Sequence, residues 1–380
     1  MRNILYDLTS CQSVGKFKNH GGKEYAEAVF MEFMRRNISI SGIYNSQEYI
    51  NPLFVEYCKN NGDLYDVNCI SLQKVIDTGK YNVFYSPLPY SYHNINWGDV
   101  IFAGNIHGLR LFDAFTDKYE FKYSLTVKEK SMSLLKRIPF VKKKIISIYK
   151  KNIYKILNNP SFVCITGSNH SKYLLLSLFP TVSEDRIKVF CDPLELEDVT
   201  SHNTSDNDKY YLMVSANRWV KNVYRGILAL DDLMSSGRLN TKVIITGYDS
   251  ALNFASKLKN MDKFIFKGYV TSEELASLYK NAYCLLFLSL SEGFGYPPLE
   301  AMSRGVPVIC SPLTAIYEVY QNGVLYCNPL SIDDIKIKIL EMENTHIREE
   351  YVAKGVSRSG EIINQQKQDL VQLVDYISSL

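Results

Sequence analysis

Residues 283–312 read YCLLFLSLSEGFGYPPLEAMSRGVPVICSP, and the order of signals in them decides the fold. The apolar run YCLLFLS (283–289) has the length and bounds of a strand buried on both faces. A loop holding Gly293 and Gly295 follows, and Pro297–Pro298 suit the first turn of a helix. Gly305 stops that helix, and VPVIC (306–310) begins the next strand. Strand, loop, helix and strand in this order make a parallel crossover unit.

The same alternation extends in both directions. Upstream, the strand candidates are ILYDL (4–8), VFYSP (83–87), DVIFAG (99–104) and FVCITG (162–167). Nearer the opening stretch they are YYLMVSA (210–216), KVIITG (242–247) and KFIFKG (263–268). Several end directly on Gly, Ser or Asn, as strands do where ligand loops leave the carboxyl edge of a parallel sheet. We expect an α/β protein of two Rossmann-like doubly wound domains facing a cleft. The first domain would span 1–200 and the second 210–360, joined by the polar stretch SHNTSDNDK at 201–209. Residues 361–380 carry apolar side chains at 362, 363, 370, 373, 374 and 377, a helical spacing, and are expected to cross back to the first domain.

Composition excludes several classes. With 380 residues, 46% hydrophobic and 22% charged, the chain is neither disordered nor collagen-like. Its net charge of +3 leaves neutral and anionic partners open. The eight cysteines form no CxxC pair, which predicts reduced thiols in a cytoplasmic protein. MRNILYDLTS has too short an apolar run for a signal peptide, and no stretch reaches the ~18 apolar residues of a spanning helix.

Positive charge concentrates in one place. Residues 128–155 hold ten Lys or Arg against the single acid Glu129, a balance of +9. Within this stretch Val141, Ile145, Ile148, Tyr149, Ile153 and Ile156 fall at helical spacing, with Lys142, Lys143, Lys144, Lys150, Lys151 and Lys155 largely opposite. Such a basic amphipathic helix suits an anionic membrane surface or an anionic acceptor. No second basic patch with interleaved aromatics occurs, so nucleic acid is not expected as a partner.

The chemistry-bearing residues cluster around the opening stretch. Loop amides and a helix start form a ready anion site, and the glycines let a ligand approach the backbone. Glu292 lies in the loop and Glu300 about a turn into the helix, where carboxylates accept hydrogen bonds from hydroxyls. Phosphates at the helix end and hydroxyls at the acids are the layout of a bound nucleotide sugar. No complete GxGxxG is present, so a dinucleotide site is poorly supported. Nor is there a GxSxG elbow or an HxH or HxxxH cluster. The sole DxD, Asp206–Asn207–Asp208, falls in the polar linker, and no metal site is expected.

EGFGYPPLEAM resembles the paired-glutamate signature of retaining glycosyltransferases with the GT-B fold, in glycosyltransferase family 4 (glycosyl transferases group 1). The resemblance runs over nearly the whole chain and is most specific at 270–312. It implies that Glu300 holds the ribose hydroxyls and Glu292, a catalytic residue, faces the donor sugar. Phe294, Gly295 and Tyr296 would offer backbone amides. In YLMVSANRWVKNVYRGILAL (211–230), Lys221–Asn222 matches the family's diphosphate-binding Lys, which would also serve catalysis. Arg218 would add a second cation, although the family's Arg lies further upstream of its Lys. Gly21–Gly22 look like the family's N-terminal glycine loop, and His107, in DVIFAGNIHGLRLFD (99–113), resembles the catalytic His close to the donor sugar. Arg110, with Lys142, Lys143 and Lys144, would meet the acceptor or membrane.

The resemblance thus implies an acceptor-binding first domain and a nucleotide-sugar-binding second. The expected enzyme is a retaining, metal-independent hexosyl- or related glycosyltransferase using a UDP or GDP sugar. Its acceptor would be a glycan or lipid-linked molecule in surface polysaccharide or glycolipid assembly, placing it in the cytoplasm at the inner membrane face. The rival expectations are a catalytically silent nucleotide-sugar-binding subunit and a sugar-nucleotide epimerase of the same fold.

Overall fold

A computed structural model of the chain describes residues 3–13, 21–194, 209–250, 252, 254, 256 and 258–380. The chain groups by contact into two compact units, one of 1–109, 147–195 and 363–380, the other of 110–146 and 196–362.

The first unit is built on seven parallel strands: β1 Ile4–Asp7, β2 Ile40–Tyr44, β3 Leu64–Asp66, β4 Val83–Ser86, β5 Ile101–Asn105, β6 Phe162–Thr166 and β7 Ile187–Val189. Their order is β3-β2-β1-β4-β5-β6-β7, the doubly wound arrangement. Ile4 sits opposite both Ile40 and Val83, so β1 is central and all four of its residues are buried. Helices α1 Gly21–Arg35, α2 Pro52–Asn61 and α3 Leu72–Ile76 follow the early strands. Tyr6 meets Phe30, Phe33 and Tyr85 edge-on, and Leu373, Val374 and Ile377 join the same core.

The chain continues through α4 Arg110–Asp113, α5 Val127–Leu135, α6 Pro139–Leu157 and α7 Asn169–Leu178. Ser168 caps α7 by accepting from the Ser171 amide.

The second unit carries six parallel strands: β8 Tyr210–Met213, β9 Lys242–Ile245, β10 Phe264–Phe266, β11 Cys284–Phe287, β12 Val308–Cys310 and β13 Leu325–Tyr326. The order is β10-β9-β8-β11-β12-β13. Its helices are α8 Val223–Ser235, α9 Ser272–Lys280, α10 Tyr296–Met302, α11 Ala315–Tyr320, α12 Ile332–Met342 and the long α13 Thr345–Ser379. Two Rossmann-like doubly wound sheets are therefore present, as the strand–helix alternation predicts. No helix among the described residues is long and apolar enough to cross a membrane.

Three expectations need correction or restatement. The division between units does not fall at 200, because 110–146 groups with the second unit. Buried polar contacts explain this. Arg225, 2% exposed, grips the Asp117 carboxylate at 2.7 and 3.0 Å. The Tyr123 hydroxyl accepts from the Tyr224 amide at 2.8 Å. The C-terminal helix starts at Thr345 rather than 361, and only its residues from 363 onward group with the first unit. The polar linker lies, but for Lys209, outside the described residues.

The amphipathic stripe of α6 is also less uniform than its spacing implies. Ile153 and Ile156 are buried, Val141, Ile145 and Tyr149 are half-buried, and Ile148 is 54% exposed. Lys142, Lys143, Lys144, Lys150, Lys151 and Lys155 are exposed.

Candidate functional site

In the second sheet the strand order reverses between β8 and β11, and ligands of such sheets bind outside the carboxyl ends at that point. Both strands deliver charged residues there. Beyond β8 the chain turns through Trp219–Lys221 and adopts a left-handed conformation at Asn222, φ +57°. Asn222 holds this turn by donating from Nδ2 to the Pro329 carbonyl and accepting from Arg225. Beyond β11, the Leu290 amide donates to the Val220 carbonyl at 2.8 Å, tying the two loops together.

Lys221 Nζ donates to Glu292 Oε1 at 2.6 Å, and both side chains are largely buried. Lys221 also stands 4.9 Å above the Phe287 ring. Ser289 Oγ donates to the same Glu292 oxygen, and the Glu292 amide donates to Thr314 Oγ1 at 3.0 Å. Burial acts to raise the Glu292 carboxyl, but the Lys221 and Arg218 charges and the Lys221 and Ser289 hydrogen bonds outweigh it, leaving it below the usual range. Burial pulls Lys221 down from its ordinary value, partly offset by Glu292 and reinforced by Arg218 and Arg110. Ser291 Oγ donates to Asp113 Oδ2 at 3.1 Å. Three cations and two carboxylates leave the cluster net positive, suited to an anionic ligand. Ionised Glu292 is an acceptor only and suits hydroxyl donors.

The glycine loop has a steric reason. Gly295 has φ +87°, and a Cβ there would meet Ile316 Cδ1 at 2.7 Å. The Tyr320 hydroxyl donates to the Gly295 carbonyl, fixing the turn, while the buried Phe294 ring lies 5.4 Å from that of Tyr296. Glu300 is half-buried in α10, where its backbone carbonyl accepts from Ser303 and Arg304. At seven residues α10 carries little macrodipole, so the cations supply most of the positive field.

The sequence expectations distribute over the two units. Lys221, Arg218, Glu292 and Arg110 come together, and Arg110 groups with the second unit rather than with the first domain to which 1–200 assigned it. Lys142, Lys143 and Lys144 group there too. His107 and Gly21–Gly22 belong to the first unit, where the glycines open α1 and residues 18–20 lie outside the described chain. His107 follows β5, with Nδ1 3.2 Å from Asp192 Oδ2 and Nε2 3.1 Å from the Pro87 carbonyl. Ser289, Asp113, Thr314 and Asp192 were not singled out from sequence. Ser289 and Asp113 sit inside the quoted motifs, whereas nothing local marks Thr314 or Asp192. Among the described residues no group of three or more His, Cys, Asp or Glu could hold a metal, and Asp206–Asp208 fall outside them.

Residues 196–357 match the family of glycosyl transferases group 1. The O-antigen chain mannosyltransferase RfbU of Salmonella typhimurium is 32% identical over 151 residues, 39% of this chain and 42% of that protein. The O-antigen chain mannosyltransferase B of Escherichia coli is 30% identical over 227 residues, 55% of this chain and 59% of the relative. The match spans about half the length of these relatives. Among solved structures, the glycosyltransferase WaaG, involved in lipopolysaccharide biosynthesis, superposes with a TM-score of 0.66 at 13% identity, covering 98% of this chain and 99% of that one. Sucrose-phosphate synthase from Thermosynechococcus elongatus gives 0.66 at 12% identity over 100% and 99% of the chains. The two Rossmann-like units are those of the GT-B fold.

Proposed function

We propose that this protein is a retaining glycosyltransferase that moves a sugar from a nucleoside-diphosphate donor to a glycan or lipid-linked acceptor in surface polysaccharide assembly. The observation that carries this reading is the Lys221–Glu292 pair at the order reversal of the second sheet, with Arg218 and Arg110 adding positive charge. Lys221, Arg218 and Arg110 face the diphosphate and neutralise the leaving group, a task that needs no metal when cations are fixed in place. Glu292 binds hydroxyls of the sugar, Glu300 those of the ribose, and Phe294, Gly295 and Tyr296 line the donor. By resemblance to the family, Gly21–Gly22 are assigned to donor binding and His107 to the transferred sugar. The bond from the anomeric carbon to phosphate oxygen breaks, and the acceptor oxygen bonds to that carbon on the same face. The acceptor proton passes to the departing phosphate oxygen. Mannose is the first sugar to test, because two relatives are O-antigen mannosyltransferases.

Thermal shift against GDP-mannose and a panel of UDP-hexoses tests the donor. A ligand at 100 times its Kd stabilises by about 2.7 kcal/mol. NMR of the product then reads the anomer, and retention is the expected result. Binding with no transfer to any glycan acceptor would indicate a silent subunit, and conversion of the donor alone an epimerase. No stabilisation by any nucleotide sugar overturns the reading.

For this protein we infer a cytoplasmic location, peripheral to the inner membrane face. Support comes from the exposed apolar residues Val127, at 81%, and Phe140, at 75%, and from the exposed Lys142, Lys143 and Lys144 that follow Phe140 in α6. Neutralising these three lysines is expected to weaken binding to anionic vesicles by about 3 kcal/mol at low salt, at ~1 kcal/mol each. The difference should shrink near physiological salt, where screening reaches ~8 Å. Equal co-sedimentation of variant and wild type at low salt would discard the membrane contact.

A further inference from the structure

We propose that Asp192 is the positioning residue for His107, and that the C-terminal helix α13 holds it in place. This rests on the assignment of His107 to the transferred sugar. His107 has 21% of its side chain exposed, whereas Asp192 is 4% exposed and lies behind it. Asp192 Oδ2 faces His107 Nδ1 at 3.2 Å, and the Tyr25 ring closes edge-on at 4.6 Å. The Asp192 carboxylate at Nδ1 and the Pro87 carbonyl at Nε2 both only accept, so together they fix how the ring is turned, and the carboxylate, carrying the charge, competes for the proton on Nδ1.

Among the described residues, 190–194, which bear Asp192, contain no regular element, and α13 clamps them twice. Gln366 Nε2 donates to the Asp192 carbonyl at 2.6 Å, and the Cys191 amide donates to Asp369 Oδ2 at 2.7 Å. On the other side β6 leads into Gly167, where a Cβ would meet Asp192 Oδ1 at 2.5 Å, so the strand end accepts only a glycine against this carboxylate. Asp192 Oδ1 has no hydrogen-bond partner among the described residues despite its burial.

The experiment uses the full chain labelled with 15N, and imidazole 15N–1H spectra of the wild type and two variants. Asp192→Asn keeps the shape and removes the charge. It is expected to move the His107 Nδ1 signal, leaving the other histidines in place. Gln366→Leu, which releases the Asp192 carbonyl, should move it by a smaller step. With GDP-mannose as probe, Asp192→Ala should lower hydrolysis about 10²-fold, as a displaced catalytic side chain does, with KM within about twofold. Asp192→Asn should recover part of the loss, and adding Asp192→Ala to His107→Ala should cost under about twofold more. A His107 signal that stays put in Asp192→Asn overturns the proposal. A signal that moves supports it whatever the turnover. If His107→Ala then leaves hydrolysis intact, the role given to His107 is what fails.

Discussion

The two sheets share one winding order, yet the points where that order reverses are chemically unlike. In the first sheet the reversal lies between β1 and β4, and Asp7 ends β1 there. Asp7 is 1% exposed and accepts from the Thr9 and Ser10 side chains, the Thr9 amide and Ser86 Oγ on β4. Neutral hydroxyl donors close around it, and burial raises its carboxyl above the ordinary value. In the second sheet the corresponding acid, Glu292, is met by a buried lysine with further cations beyond, and is pulled down instead. The topology supplies the place, and the neighbours decide whether an acid there is sealed structure or an ionised ligand group.

The largest expected effect separates the two reversal points directly. Lys221→Ala should lower turnover about 10²–10³-fold, as loss of one fixed donor at a developing charge does. It should also cost about 3 kcal/mol of stability, because buried Glu292 loses its counter-ion. Normal turnover at saturating donor and acceptor would erase the distinction. Glu300→Ala should weaken nucleoside-diphosphate binding by about 1.5–3 kcal/mol, the range for charged hydrogen bonds, read by calorimetry. Asp7→Ala should cost about 1–3 kcal/mol in denaturant unfolding by stranding its hydroxyl partners, with donor affinity unmoved. A loss of donor affinity in Asp7→Ala would mean that the first reversal point also serves the ligand.

The smallest effect is one of sign. Glu292 is depressed in the folded protein, so the unfolded chain binds more protons through the carboxylate range, and its contribution is lost as pH falls toward its folded value. Asp7 is raised, so the folded protein binds more protons there, and stability declines as pH rises from the unfolded toward the folded value. Melting temperatures of Glu292→Gln and Asp7→Asn between about pH 3 and 6, the range spanning ordinary carboxylates, should therefore depart from wild type with opposite slopes. Parallel slopes would contradict the assignment of one environment or the other.

Much of this architecture is legible in the chain. Nine of the thirteen strands among the described residues fall in the apolar runs that mark them, because strands buried on both faces need continuous apolar residues. The missed four include β3 and β7, of three residues each, and β13, of two, too short to show a period. The Ile40–Tyr44 strand hides behind Gly42, whose missing side chain makes room for Leu8 and Cys58. Glu292 and Lys221 are readable because motif and loop fix them locally. The pairing of Asp192 with His107 spans 85 positions and that of Arg225 with Asp117 spans 108, distances at which no local pattern exists. For the same reason the membership of 110–146 escapes a reading that assumes each domain is continuous.

That interleaving has a consequence for how the chain is made. Synthesis delivers residues in order, at about 5–20 per second, and domains fold as their parts emerge. Residues 110–146 leave the ribosome long before 209–362, with which they pack, so they wait with Tyr119 and Tyr123, which lie against the second unit's core, uncovered. The first unit waits longer still, since Leu373, Val374 and Ile377 of its core come last. The half of the molecule translated first is then the half that finishes folding last.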